Sequence, residues 1–216
     1  MGTAKRSTYH HGNLREVLID AAVELIAVHG AEKLSVREVA KLAGVSPGAP
    51  FRHFATRTDL LTAVAEQASR KLRHAVEAAM QRSAEQPALL RFAAIGHAYL
   101  QWAKTYPTHF RVVSDRALTH YASSACMQED NLWIRSQMGQ LLENAWGPST
   151  QESAPLAQMA ARALVYGLAR MNVDGHFPEW SLADDQATAA DHRTLDFFIA
   201  LLQLQADAKT PSLRRP

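Results

Sequence analysis

The sequence predicts an all-α protein: a compact three-helix N-terminal unit with a helix-turn-helix, then a larger helical bundle, about nine helices in total. Three observations carry this. Apolar residues recur at three- and four-residue spacing along most of the chain. Capping signals and glycine or proline stops punctuate that pattern at helix-length intervals. Strand signals are poor, with few β-branched runs and no hairpin-turn signal. The expected division is 1–57 for an N-terminal arm and helix-turn-helix domain, 58–208 for the bundle, and 209–216 for a frayed tail.

The elements follow in order. In "NLREVLIDAAVELIAVHG", Leu14, Leu18, Ala21, Ala22, Leu25 and Ile26 form one stripe, Asn13 and Glu16 have the spacing of a capping box, and Gly30 is a stop. "SVREVAKLAG" starts a second helix at Ser35, with Glu38 as its box partner and Gly44 as its end. A short third segment follows. Thr56 and Asp59 then open a helix expected to reach about Ser83. Pro87 and Pro107 mark two further starts, and "MQEDNLWIRSQMGQLLENAW" is closed by Gly147-Pro148. "APLAQMAARALVYGLARMNVDG" and "DQATAADHRTLDFFIALLQLQ" are the last two helices, and "KTPSLRRP" is the tail.

Bulk properties narrow the function classes. The chain has 216 residues, 47% of them hydrophobic, which is enough for a real core. Its net charge of +2 does not announce nucleic acid by itself, but residues 1–60 carry eight Lys/Arg against six Asp/Glu while the remainder balances. The lone Cys126 precludes an internal disulfide and fits a reducing compartment. "MGTAKRSTYHHGN" lacks the apolar core of a signal peptide, and "LDFFIALLQL" is too short to span a bilayer. A cytoplasmic protein without a membrane partner is expected. No metal-ligand spacing stands out, and no metal or cofactor is expected.

"GVSPGAPFRHF" holds two prolines and a glycine where a helix should run. The prolines fit a helix start. With Ser46 as N-cap, Pro47 occupies N1, where its missing N–H is harmless. Gly48 and Ala49 are minimal, so the backbone there can lie close to a partner. Pro50 removes the first backbone hydrogen bond and disfavours helical angles at Ala49. Such a segment tolerates that if its N-terminal end is its working part, since exposed N–H groups there suit phosphate. Ser35 to Phe54 thus reads as a helix-turn-helix, with Val39, Ala43, Val45 and Phe54 forming a small core against the first helix. A surface loop with a turn is the alternative.

From Asn13 to Ala65 the sequence resembles the TetR family of transcriptional regulators. "AAVELIAVHG", "SVREVAKLAGVS", "FRHF" and "DLLTAV" carry that resemblance jointly. "STYHHGN", "YLQWAKTYPTHFRVV" and "ALVYGLARMNVDG" are similar to the branch with a WHG-type C-terminal domain. The resemblance implies a homodimer with two heads for double-stranded DNA, a palindromic operator, and a C-terminal domain that binds a small effector and dimerises, usually in a repressor. It places Arg37 where the family often reaches a base edge, a role suited to a guanidinium fork. A plain surface arginine beside Glu38 is the other reading. Phe51 falls where the family usually has a tyrosine whose hydroxyl touches phosphate, a bond phenylalanine cannot make. Arg52, His53 and Arg57 are candidate phosphate contacts. Lys5, Arg6, His10 and His11 are a candidate arm, or an unpartnered tail.

In the bundle, His97, Tyr99, Trp102, Phe110, Met127, Trp133 and Met138 are candidate walls of a pocket for an apolar or aromatic effector. At helical spacing they equally suit a core. The nearly all-apolar "LDFFIALLQL" suggests burial against a second copy, with Met159, Leu164 and Tyr166 on one helix and Phe197, Phe198 and Leu201 on the other as candidate interface residues. An all-helical protein-interaction adaptor is the main rival. A helical enzyme is the lesser one, because no nucleophile elbow, His-Glu-x-x-His or phosphate-cradling glycine loop is present.

Overall fold

The structure, a computed structural model, describes residues 14–147, 153–180 and 184–209. Among the described residues there are eight α-helices and no strand: α1 (Leu14–His29), α2 (Val36–Leu42), α3 (Arg57–Arg82), α4 (Ala88–Thr105), α5 (Pro107–Ser114), α6 (Ala125–Trp146), α7 (Ser153–Asp174) and α8 (Asp184–Lys209). The ninth expected helix, beginning at Ser46, is absent as an α-helix. The chain there makes a turn and then a single 3₁₀ turn, Pro50–Arg52. Pro50 has no N–H to offer the Ser46 carbonyl, which instead accepts from Ala49 N–H at 3.0 Å. Ala49 is nevertheless helical, at φ −61° and ψ −41°, against the usual preference before proline.

The first helices end where glycine permits it. Gly30 has φ 83°, and its N–H reaches the Ile26 carbonyl at 2.9 Å. Gly44 has φ 68°; its N–H bonds Lys41, and the next N–H, of Val45, reaches back to Ala40 at 3.0 Å. That pair of bonds is a Schellman closure, and it sets the tight turn after α2. Ser35 sits at the N-cap of α2 in an extended conformation, but its side chain makes no cap bond, so the expected box with Glu38 does not form. The box at α3 does form: Thr56 Oγ1 accepts from Asp59 N–H at 3.1 Å, and Asp59 accepts from Thr56 N–H at 2.9 Å. Asn13, Pro148 and residues 210–216 lie outside the described residues.

Two apolar cores share α3. The head core gathers Leu18, Ile19, Ala22, Ile26, Val39, Ala43, Phe54, Leu60, Leu61 and Val64. It continues past residue 57 through Ala65 and takes in Val112 and Met127, so the head is completed by α5 and α6. The bundle core begins on α3 at Ala68 and Val76 and joins α4, α6, α7 and α8. At 1.5 Å per residue α3 is about 39 Å long, a strut passing from one core into the other.

α8 is not apolar all round in its surroundings. Leu195, Ile199 and Leu202 are buried against the bundle, whereas Phe197, Leu201 and Leu204 point to solvent. No described helix is long and apolar enough to cross a membrane.

Candidate functional site

The tip of the head is formed by α2, the turn and the 3₁₀ segment. Arg37, Ser46, Pro47, Gly48, Phe51, Arg52 and His53 are all exposed there, Ala49 is half-buried and Pro50 is buried. Phe51 has 52% of its surface free, so it does not fill the small core; Phe54 does, at 2%. Arg37 and Arg52 have no carboxylate partner among the described residues. Nothing inside the protein accounts for glycine at position 48: a Cβ built there meets no atom within 4 Å, and its backbone is not left-handed.

Arg57 differs from its neighbours. It is half-buried, and its guanidinium donates to the Ala31 carbonyl, tying the start of α3 to the turn after α1. Its Nε is buried without a partner. Arg15 does similar work on the other side, lying 5.5 Å from the Phe54 ring centre and 3.6 Å from Glu66. Lys5, Arg6, His10 and His11 lie outside the described residues.

The bundle encloses a cavity of about 530 Å³ between α3, α4, α6 and α7. Of the pocket candidates, Tyr99, Trp102, Met127 and Met138 line it. Phe110 stands behind the wall, fully buried, with its ring centre 6.1 Å from Trp102 and 5.9 Å from Tyr166. Trp133 lies under the Arg73 guanidinium at 4.8 Å and outside the lining. His97 belongs elsewhere: its Nε2 is 2.8 Å from Asp196, its ring stacks on His192, and it lines a second hollow among α3, α4 and α8.

Sequence reasoning missed the polar part of the lining. Arg116, Arg135, Gln158 and Arg162 all border the cavity. Arg162 lies 4.8 Å over the Tyr99 ring and 5.9 Å from that of Tyr166. Burial pushes the Tyr99 phenol upward, and the Arg162 charge and hydrogen bond oppose it. The signal was in "LAQMAARAL": Gln158 and Arg162 sit one turn apart in an otherwise apolar stretch of α7.

The interface candidates divide. Met159, Phe197 and Leu201 are exposed, as are Leu156 and Leu204, which the sequence reading did not single out. Leu164 and Phe198 are half-buried against the bundle core, and Tyr166 turns inward to line the cavity.

A short helix, a glycine-closed turn and an exposed cationic tip on a buried three-sided core define a helix-turn-helix DNA-binding unit. Comparison with known proteins agrees. The profile of bacterial regulatory proteins of the tetR family matches residues 18–64, and that of the tetracyclin repressor-like C-terminal domain matches residues 92–198. Together they cover well over half of the chain, which belongs to the TetR family of transcriptional regulators and is a DNA-binding transcriptional regulator. The HTH-type transcriptional regulator BetI of Rhizobium meliloti (strain 1021) is 36% identical over 70 residues, a match spanning 32% of this chain and 34% of that protein. A protein of unknown function from Rhodococcus sp. RHA1 has a similar structure: TM-score 0.72 at 28% identity, covering 91% of this chain and 99% of the other. A tetR-family regulatory protein from Rhodococcus RHA1 shares the fold at TM-score 0.67 and 19% identity, over 88% of this chain and 97% of that one.

Proposed function

We propose that the chain is a repressor that binds a palindromic operator as a homodimer and leaves it when a small apolar or aromatic molecule fills the bundle cavity. The observation that carries the reading is a shared wall. Val113, Tyr121 and Met127 line the cavity and also pack into the core of the DNA-reading head. A ligand that moves those side chains pushes on the head from behind. Interiors are close-packed, so such a shift passes on rather than dissipating. α3 carries the same displacement along its length. The ligand releases DNA only if it binds the released arrangement better than the DNA-bound one.

At the tip, Arg37 is offered to a base edge, and Arg52 and His53 to phosphates. Gly48 leaves room for the backbone of Ser46 to Ala49 to approach the duplex closely. Phe51, being exposed and without a hydroxyl, suits apolar contact with sugar or a thymine methyl. Arg57 contributes by fixing the start of α3, and remains a candidate phosphate contact through N–H groups other than the buried Nε.

Dimerisation is supported by an apolar face with no cover in the single chain. Phe197, Leu201 and Leu204 line one side of α8, and on α7 the exposed Leu156, Ala160 and Ala163 fall along one stripe. A second copy would bury both through a two-fold four-helix contact. That symmetry would set the two tips roughly 34–36 Å apart, at successive major grooves. Selection of bound duplexes from a random pool tests this: a palindromic consensus is expected, and enrichment of a single unrepeated half-site, or of nothing, would overturn it.

A further inference from the structure

The charge distribution of the cavity goes further than its apolar walls. Twenty-five described residues line it; three are arginines and none is aspartate or glutamate. Arg135 and Arg162 are both exposed residues of the lining. Gln158 bridges them: it lies one turn from Arg162 on α7, and its Nε2 donates to the Arg135 carbonyl at 3.3 Å. Neither guanidinium has a carboxylate partner among the described residues. Arg162 instead rests on the Tyr99 and Tyr166 rings, which hold it without neutralising its charge. The third, Arg116, lies 3.4 Å above the Tyr121 ring.

Inside, the walls are aromatic and aliphatic: Phe92, Tyr99, Trp102 and Tyr166 with Val76 and Ile95. The Trp102 indole N–H is buried with no acceptor in the protein. Arg73, outside the lining, is by contrast matched by Glu77 at 2.9 Å and Asp130 at 3.3 Å. Two guanidiniums without a carboxylate partner, both lining an aromatic-walled void, are the counterpart of an anion with a flat apolar body. An arginine fork takes a carboxylate with two parallel bonds, and a partly enclosed site strengthens them.

We infer that the cavity selects an aromatic carboxylate, its ring system seated against Tyr99 and Trp102 and its carboxylate held by Arg162 and Arg135. This rests on the reading of the cavity as the effector site, but concerns only what binds there. A neutral arene would fill the same walls yet leave the guanidiniums unanswered, and a cationic one would meet repulsion from both arginines.

The test uses the purified full-length chain and three probes of one shape: 2-naphthoate, 2-naphthamide and 2-naphthylmethylammonium. Affinities are read by titration calorimetry, in parallel with operator binding. 2-Naphthoate should bind about tenfold or more tighter than the amide, the expectation for a charge-assisted bond at a partly exposed site. The cation should bind weakest. In Arg162→Gln with Arg135→Gln the ratio of acid to amide affinity should fall to about one; Arg162→Lys should keep part of the preference, because it keeps the charge. Equal affinity for acid and amide, a preference that survives the double variant, or failure of all three probes to bind would overturn the inference. Tight naphthoate binding that leaves operator affinity unaltered would support it and count instead against the effector reading.

Discussion

The two halves of the molecule are built on opposite plans. The head is solid inside and does its work on its skin. Leu18, Ile19, Ala22, Val39, Leu60, Leu61 and Val64 are fully buried, and the residues proposed to meet DNA stand on an exposed tip. The bundle is hollow instead: its core surrounds a void of about 530 Å³, and its outer surface carries uncovered Phe197, Leu201 and Leu204. A rigid head can hold a tip in register with a groove. A bundle with a hole in it can be rearranged by whatever fills the hole.

The contrast predicts where stability and function separate. The largest effect is expected at the strut. Leu61→Ala on α3 removes a fully buried side chain from the head core and should cost about 2–5 kcal/mol in urea unfolding, taking DNA binding with it. Next comes the α8 face. Phe197→Glu with Leu201→Glu should convert a dimer to a monomer by sedimentation and weaken operator binding by orders of magnitude, while each chain keeps its helical circular dichroism. At the tip, Arg37→Ala should cost about 1–3 kcal/mol of discrimination at one base position. The same change should leave stability within about 0.5 kcal/mol, because the side chain is exposed. Gly48→Val should likewise leave folding intact, since a Cβ there meets no protein atom, and should weaken operator binding by crowding the duplex. If Gly48→Val binds as well as the parent, the close-approach role is lost.

The smallest effect is in acid, where the two halves oppose each other. His109, at the seam, donates from Nε2 to the Gln67 side-chain oxygen at 2.7 Å; burial, and next the charge of Lys71, push it down to about 4. The unfolded chain takes up that proton near the ordinary histidine value, so this group removes stability as pH falls from about 6.5 towards 4. Asp191, in the bundle, is pushed up to about 6 by burial, against its bond from Asn172 at 2.9 Å. Its folded form holds a proton that the unfolded form releases, so it adds stability as pH falls from about 6 to 3.8. Asp191→Asn should remove that offset and steepen the loss of stability below pH 6, read by denaturant unfolding across that range.

Legibility in the sequence followed the same divide. The head could be read because its signals are local. Gly30 and Gly44 are left-handed stops, Thr56 and Asp59 make a capping box, and Ser46 to Pro50 mark a slim tip within five residues. What the reading missed there was also local: Pro50 lacks the donor for a full α-turn, so the last segment is 3₁₀. The cavity was only half legible. Tyr99, Trp102, Met127 and Met138 face it, but helical spacing cannot distinguish a wall from a core until the helices are placed. Phe110 was assigned to the pocket and is packed behind it, and Tyr166 was assigned to the outer face and points in. Which side of α7 faces α4 is decided by contacts far apart in sequence, such as Gly96 against Leu195 and Val165, where an added Cβ would stand 2.7 Å from the leucine.

The most direct measurement of the central claim is a hydroxyl-radical footprint of the purified chain on its selected duplex. Two protected windows on one face of the helix, centred about one turn apart (roughly 34–36 Å) and both lost in the Phe197→Glu, Leu201→Glu variant, are predicted. One window that persists unchanged in that variant would contradict a two-fold pair of thin tips as the DNA-reading device.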